Sequence, residues 1–215
     1  IRSGVSGNLR LGVIPTALPM VGKLTVPFLA RNPNVRVTIL SRTSYEILEE
    51  IDRLELEAGI TYLENEPLGK VTAVPLYQES YRLLVATGSP LSKHASVTWR
   101  EAAAQPLCLL TGNMQNRRII NQHLAEAGVS VTPTVESNST IALMAHVATG
   151  RWASILPQTL TDLLGKGAGL TAVPIADQQG EKAAQHLVGL IAAWREPHTP
   201  VIAALLEEAR RVSKV

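Results

Sequence analysis

One pattern, strand–helix–strand–helix–strand, occurs twice in this chain, and that repetition limits the fold more than composition does. Residues 9–14 alternate around Leu9, Leu11 and Val13 and stop at Pro15, as a strand does. Leu18, Val21, Leu24, Phe28 and Leu29 then recur at helical spacing as far as Arg31-Asn32-Pro33. Val35, Val37 and Ile39 alternate as a second strand. Thr43 or Ser44 caps a second helix with Ile47, Leu48, Ile51 and Leu54 inward, and residues 58–63 read as a third strand. The second run begins with an apolar strand at 107–110 and a helix at 114–127, with Ile120, Leu124 and Ala127 inward and Gly128 as its stop. A strand at 131–135 follows. A helix at 140–149 comes next, with Ile141, Met144 and Val147 inward, and then a strand at 152–156.

Between the runs lie two extended segments, 72–77 and 81–86, and a Thr98/Glu101 capping box. After them come a short helix at 158–164 and strands at 170–175 and 187–194. Thr199 and Pro200 then open a last helix with Val201, Leu205 and Ala209 on one face. Alternating strands and helices imply an α/β fold with parallel sheets covered on both faces. Two such runs imply two Rossmann-like lobes, and the closing helix is expected to return to the first. The expected division is 1–76 with 190–215 as lobe I and 77–189 as lobe II.

Composition removes several alternatives. A hydrophobic fraction of 46% supplies a core. The longest apolar run, near 187–193, falls short of the roughly 20 residues a bilayer span needs, and residues 1–8 show no signal-peptide pattern. A net charge of +2 gives no strong reason to expect nucleic acid on this surface, and four Tyr, three Trp and one Phe leave few stacking platforms. Cys108 is the only cysteine, so no intrachain disulfide forms, and its apolar strand predicts a buried thiol.

No HExxH, GxSxG or GxxxxGK[ST] motif occurs. Gly165-Lys166-Gly167-Ala168-Gly169 precedes a strand and reads as a turn, not a phosphate loop. His94, His123, His146, His186 and His198 are scattered without metal-ligand spacing. Glu49, Glu50 and Asp52 read as a solvated helix face, and Arg117 and Arg118 as exposed surface. No enzyme, metal or cofactor is expected.

In open α/β sheets ligands bind beyond the carboxyl ends of the strands, where helix N-termini converge with unpaired N–H donors. Here those turns are Pro15-Thr16-Ala17, Arg42-Thr43-Ser44 and Thr61-Tyr62 in the first run. In the second they are Thr111-Gly112-Asn113 and Glu136-Ser137-Asn138-Ser139. Each carries a hydroxyl or amide that orients a small polar molecule without bringing a charge, although each alone is also an ordinary helix cap.

Several segments resemble the effector-binding domain of LysR-type transcriptional regulators. They are Gly7-Asn8-Leu9-Arg10-Leu11-Gly12-Val13, the Phe28 to Pro33-Asn34-Val35 step, and Leu56-Glu57-Ala58-Gly59-Ile60 with Glu57 where Asp is usual. Pro75-Leu76-Tyr77-Gln78-Glu79, with Leu83-Leu84-Val85 and Ser89-Pro90-Leu91 after it, resembles the family's crossover. The segment from Val147 to Pro157 has Trp152 where Gly is usual. No motif is specific alone; their order and spacing across the chain are. The resemblance implies a type II periplasmic-binding-protein-like fold with a ligand cleft between two lobes. It implies contacts from Thr16, Ser44 as the cap after strand two, Tyr62 after strand three, and Asn138, with Thr43, Thr111, Asn113 and Ser137 as weaker additions.

It also implies a cytoplasmic sensor of a small polar or anionic effector, a carboxylate for instance, that forms a homodimer or homotetramer. DNA would be bound only through an N-terminal winged helix-turn-helix that is not among these residues. The alternatives are a solute-binding protein of a transport system with the same fold and, less favoured, an enzyme with a dispersed site.

Overall fold

The computed structural model describes residues 4–164, 167–176 and 184–215, with only the backbone of Leu164. The chain divides into two compact units, Ile1–Gln78 with His186–Val215, and Glu79–Gln185. It leaves the first unit once and returns once. In the first unit it builds β1 (Ser6–Val13), a 3-10 turn (Pro15–Met20), α1 (Gly22–Arg31), β2 (Asn34–Ser41), α2 (Ser44–Asp52), β3 (Ala58–Tyr62) and β4 (Val71–Glu79). In the second it builds β5 (Tyr81–Ala86), β6 (Val97–Thr98), α3 (Trp99–Ala103), β7 (Cys108–Leu110), α4 (Gln115–Glu126), β8 (Val135–Ser137), α5 (Thr140–Ala148), β9 (Ser154–Pro157), α6 (Gln158–Leu164) and β10 (Leu170–Ala176). β11 (His186–Ala193) and α7 (Pro200–Val212) complete the first unit.

The first unit holds a five-stranded sheet in the order β2-β1-β3-β11-β4. β1 runs parallel to β2 from Ser6↔Asn34 to Val13↔Ser41, and parallel to β3 through Gly12↔Gly59. β11 is antiparallel to β3. In the second unit β7 and β8 are parallel, whereas β5 is antiparallel to both β9 and β10. The expectation of parallel sheets therefore holds inside the strand–helix–strand runs and for the short β6–β10 pair, but not for β5 and β11 or for the β5–β10 pairing. β5, β10 and β11 are not tied to these antiparallel neighbours by a crossover helix, which is what forces parallel pairing.

Three further expectations are corrected. The strand placed at 131–135 begins only at Val135, because Pro133 has no N–H for a ladder. Leu54 is exposed rather than inward: α2 stops at Asp52, and Leu54 takes a left-handed backbone, φ 61°. Ile141 is exposed as well. The buried stripe of α5 is Leu143, Met144 and Val147, and a residue two before Leu143 points to the opposite side. The glycine-rich turn at 165–169 lies partly outside the described residues.

Lobe I is organised by a close approach. Gly12 and Gly59 are cross-strand partners on β1 and β3, and both lie under Ile47 of α2. A Cβ at Gly59 would overlap Ile47 Cγ2; one at Gly12 would stand 3.2 Å from Ile47 Cγ1 and 2.5 Å from Leu56 Cδ1. Ile47 is fully buried there, and the Thr43–Glu46 capping box fixes the start of the helix.

In lobe II the ring of His123 on α4 stacks on Trp99 of α3 at 4.7 Å and 11°, with Tyr81 of β5 edge-on at 6.1 Å. Burial lowers the His123 pKa, against a weaker upward pull from Glu126.

Gly59→Ala is expected to destabilise the domain by about 1–3 kcal/mol, because Ile47 and its helix must shift. Denaturant unfolding measures it, and a loss within about 0.5 kcal/mol would show that α2 has slack. A second expectation concerns pH. The unfolded chain protonates His123 near pH 6.5 and the folded chain only at lower pH, so stability falls as pH drops through that window. The denaturation midpoint should fall between about pH 7.5 and pH 5.5, and His123→Phe should reduce the fall; an unchanged fall would assign it to other groups.

Candidate functional site

At the carboxyl end of the lobe I sheet, three connections meet. Ile14 N donates to Ile60 O at 3.1 Å, and Arg42 N donates to Val13 O at 3.0 Å, so the exits of β1, β2 and β3 adjoin. Thr16 lies in the 3-10 turn that Pro15 opens after β1. It is 1% exposed, and its Oγ1 has no hydrogen-bond partner among the described residues. Thr61 on β3 is fully buried, with an Oγ1 in the same condition. Buried hydroxyls are normally paired, and an unpaired one costs about 1–3 kcal/mol. Two of them at one strand end mark a place where hydrogen-bonding capacity is held ready.

The α2 entry is differently committed. Thr43, not Ser44, is the N-cap: Glu46 N donates to Thr43 Oγ1 at 3.1 Å, and Thr43 N donates to Glu46 Oε1 at 2.9 Å. Ser44 is the first helical residue and is buried. The chain bends into the helix at Thr43, one residue before the position the resemblance gave. Arg42 points its Nε at both Glu50 oxygens, at 3.1 and 3.0 Å, so its charge is already answered. Tyr62 ends β3, pairs with Val188 and is buried, so it belongs to the sheet and not to a following turn.

In lobe II the side chains of Thr111, Asn113 and Ser137 are already engaged. Thr111 Oγ1 donates to Asn113 Oδ1 at 2.6 Å, and Thr111 N donates to Ser137 O at 3.2 Å. Ser137 Oγ accepts from Ser139 N at 3.1 Å, and Ser139 caps α5 by accepting from Ala142 N. Thr111, Asn113 and Ser137 are therefore together at the ends of the β7–β8 pair, where Leu110 faces Ser137. Asn138 follows them and is exposed.

Arg117 departs most from expectation. It is buried, donating through Nη1 to Leu110 O and Glu136 Oε2, both at 2.7 Å. It falls on the inward stripe with Ile120 and Leu124, so helical spacing held the signal. Thr61, already read as a strand-end position, shares a sheet face with Gly59 two residues earlier.

Cys108 is buried, with Sγ 3.6 Å from the carbonyls of Leu143 and Ala153, and burial pushes its thiol up to about 11. Trp152, where the resemblance has Gly, donates from Nε1 to Thr134 Oγ1 at 2.9 Å and meets His146 edge-on. Glu57, where it has Asp, receives hydrogen bonds from the Arg10 backbone and guanidinium. Burial raises the Glu57 pKa, but the bonds from Arg10 outweigh it and the carboxyl sits below its ordinary value. Both departures are thus absorbed locally. Among the described residues, no group of three or more His, Cys, Asp or Glu side chains could hold a metal.

Comparison with known proteins agrees with this architecture. Residues 2–214 match the LysR substrate binding domain. The chain is 26% identical over 157 residues to the HTH-type transcriptional regulator BbuR of Bordetella bronchiseptica, covering 73% of this chain and 48% of BbuR. It is 24% identical over 154 residues to the hydrogen peroxide-inducible genes activator of Pectobacterium carotovorum, covering 71% of this chain and 51% of that protein. The chain thus spans about half the length of these two relatives.

Among solved structures, the effector binding domain of QuiR in complex with shikimate superposes with a TM-score of 0.80 at 20% identity, covering 98% of both chains. The reduced OxyR regulatory domain of Pseudomonas aeruginosa gives 0.79 at 22%, covering 95% and 97%. At these identities the structural likeness speaks for the fold, which is the two-lobed, type II periplasmic-binding-protein-like one. The match along nearly the whole chain shows that this protein belongs to the LysR substrate-binding domain family of transcriptional regulators.

Proposed function

We propose that this domain senses a small polar or anionic metabolite, and that lobe I carries the decisive contacts through Thr16 and Thr61. The carrying observation is the pair of buried, unpartnered hydroxyls at the ends of β1 and β3. The donor set is neutral, because Arg42 is held by Glu50, and α2 brings the positive end of its dipole to the same strand ends. Such a set suits a hydroxylated or carboxylate-bearing molecule. That QuiR, of like fold, takes shikimate supports this class.

Ser44 and Thr43 are secondary contacts in this reading. Thr111, Asn113, Ser137 and Asn138 are the lobe II contribution, with Arg117 setting the turn beneath them. Tyr62 contributes from within β3. The protein works as a homodimer or homotetramer in the cytoplasm, and DNA is bound by a segment outside these 215 residues. Among the described residues no helix is long and apolar enough to cross a membrane. The regulator reading is preferred to transport because the relatives are transcriptional regulators.

Peroxide sensing, named for some relatives, is not the reading adopted. Cys108 is the only cysteine of these 215 residues, so no disulfide pair exists within them. A thiol titrating at about 11 has little reactive thiolate at neutral pH.

Thr16→Val keeps the shape and deletes the unpaired hydroxyl. The unliganded variant is expected to melt no lower than wild type, with a gain of up to roughly 2–4 °C per kcal/mol recovered. In a thermal-shift screen of small metabolites confirmed by calorimetry, compounds that stabilise wild type should lose that effect on the variant. Hits unaffected by the change would place the effector elsewhere, and a fall in melting temperature would make Thr16 structural. For the thiol, the native domain should release no label with Ellman's reagent until denatured, and peptide mass mapping after hydrogen peroxide should find Cys108 unoxidised, whatever happens at the methionines. Rapid native labelling would restore the thiol reading.

A further inference from the structure

Lobe I contains a cavity of about 490 Å³ between α1, β3, β4 and the end of α7, which the turn after β1 reaches at Met20. Its walls include Leu24 of α1, Ile60 of β3 and Leu76 of β4, and its rim includes Lys23, Arg211 and Lys214. The volume falls within the roughly 300–1,000 Å³ of small-molecule pockets.

Strand geometry separates it from the Thr61 hydroxyl. Gly59 faces Ile47 of α2, so Thr61, two residues on, lies on that same face of the sheet. Ile60, between them, points to the opposite face and meets residues of α1 and α7 instead. The rim is unevenly answered. Arg211 donates to Glu207 at 2.6 Å and Glu208 at 2.8 Å, so its charge is taken. Lys23 and Lys214 are exposed and have no carboxylate partner among the described residues. An apolar chamber beneath two uncompensated ammonium groups complements a molecule with an apolar body and a single anionic end.

We propose that this cavity is a second small-molecule site, separate from the strand-end hydroxyls, that takes an amphipathic organic monocarboxylate. The apolar part lies against Leu24, Ile60 and Leu76, and the carboxylate meets Lys23 and Lys214. A ligand seated there touches α1, α7 and β3 together, so it also stabilises lobe I.

The test is calorimetric titration of the domain with octanoate and with 2-naphthoate, using 1-octanol as the uncharged control. At least one carboxylate should bind saturably at one site, and more tightly than the alcohol. The K23Q/K214Q double variant changes only exposed side chains, and it should weaken that binding by about tenfold. Thr16→Val should leave it unchanged, which separates this site from the effector site proposed above. The proposal is overturned if neither carboxylate saturates, if the double variant binds as wild type does, or if Thr16→Val removes the binding.

Discussion

A side chain at Gly59 would stand where Ile47 stands and one at Gly12 would crowd Ile47 and overlap Leu56, so α2 lies directly on the β1–β3 pair only because both strands are bare at that point. The consequences reach the strand ends. With the helix axis this close, the Thr43–Glu46 capping box is delivered beside the exits of β1 and β3. Thr61, two residues past Gly59 on the same face, is enclosed and keeps an unanswered hydroxyl. A β-branched residue at 12 or 59 would suit the strand by propensity, yet it would lift the helix and open that end to water. The glycines thus trade strand propensity for proximity.

Lobe II reaches a comparable strand end by a different route. β7 and β8 are three residues each, too short to hold a turn by ladder bonds alone. Arg117 supplies the missing rigidity by joining the Leu110 carbonyl to Glu136 from beneath. Above it, Thr111 with Asn113 and Ser137 with Ser139 spend their hydrogen bonds on one another. The two halves resemble each other in topology and differ in readiness. A ligand at the lobe II turn must compete with bonds already made, whereas in lobe I it removes a standing desolvation cost. This asymmetry is the reason for giving lobe I the decisive contacts.

Much of the fold was legible because period and punctuation agree in most segments. Pro15, Gly128, Gly150 and Pro157 ended elements where the apolar spacing also ended. Legibility failed where the deciding partner is distant in sequence. Strand direction at β5, β10 and β11 depends on neighbours brought from far along the chain. The site was partly legible: strand-end logic reached Thr16 and the α2 entry. It also placed Thr61 at a strand end, though not its full burial inside β3, and it passed over Arg117, whose residue type suggested an exposed charge. Burial distinguishes these readings, and burial is a tertiary property. Both residues nonetheless stood on inward-facing positions of their own elements, so phase was the better guide and residue type the poorer one.

A single strand then carries two chemistries. On β3, Ile60 and Thr61 are neighbours in sequence and face opposite sides of the sheet, one an apolar wall and the other a buried hydroxyl. Register keeps them apart, since a slip of one residue would exchange their faces and put the hydroxyl into the apolar chamber. The pairing of Gly12 with Gly59 guards against such a slip, because only glycine fits beneath Ile47, and both neighbours of Gly59, Ala58 and Ile60, carry a Cβ. The contact that docks α2 therefore also fixes which side of lobe I is polar and which is oily.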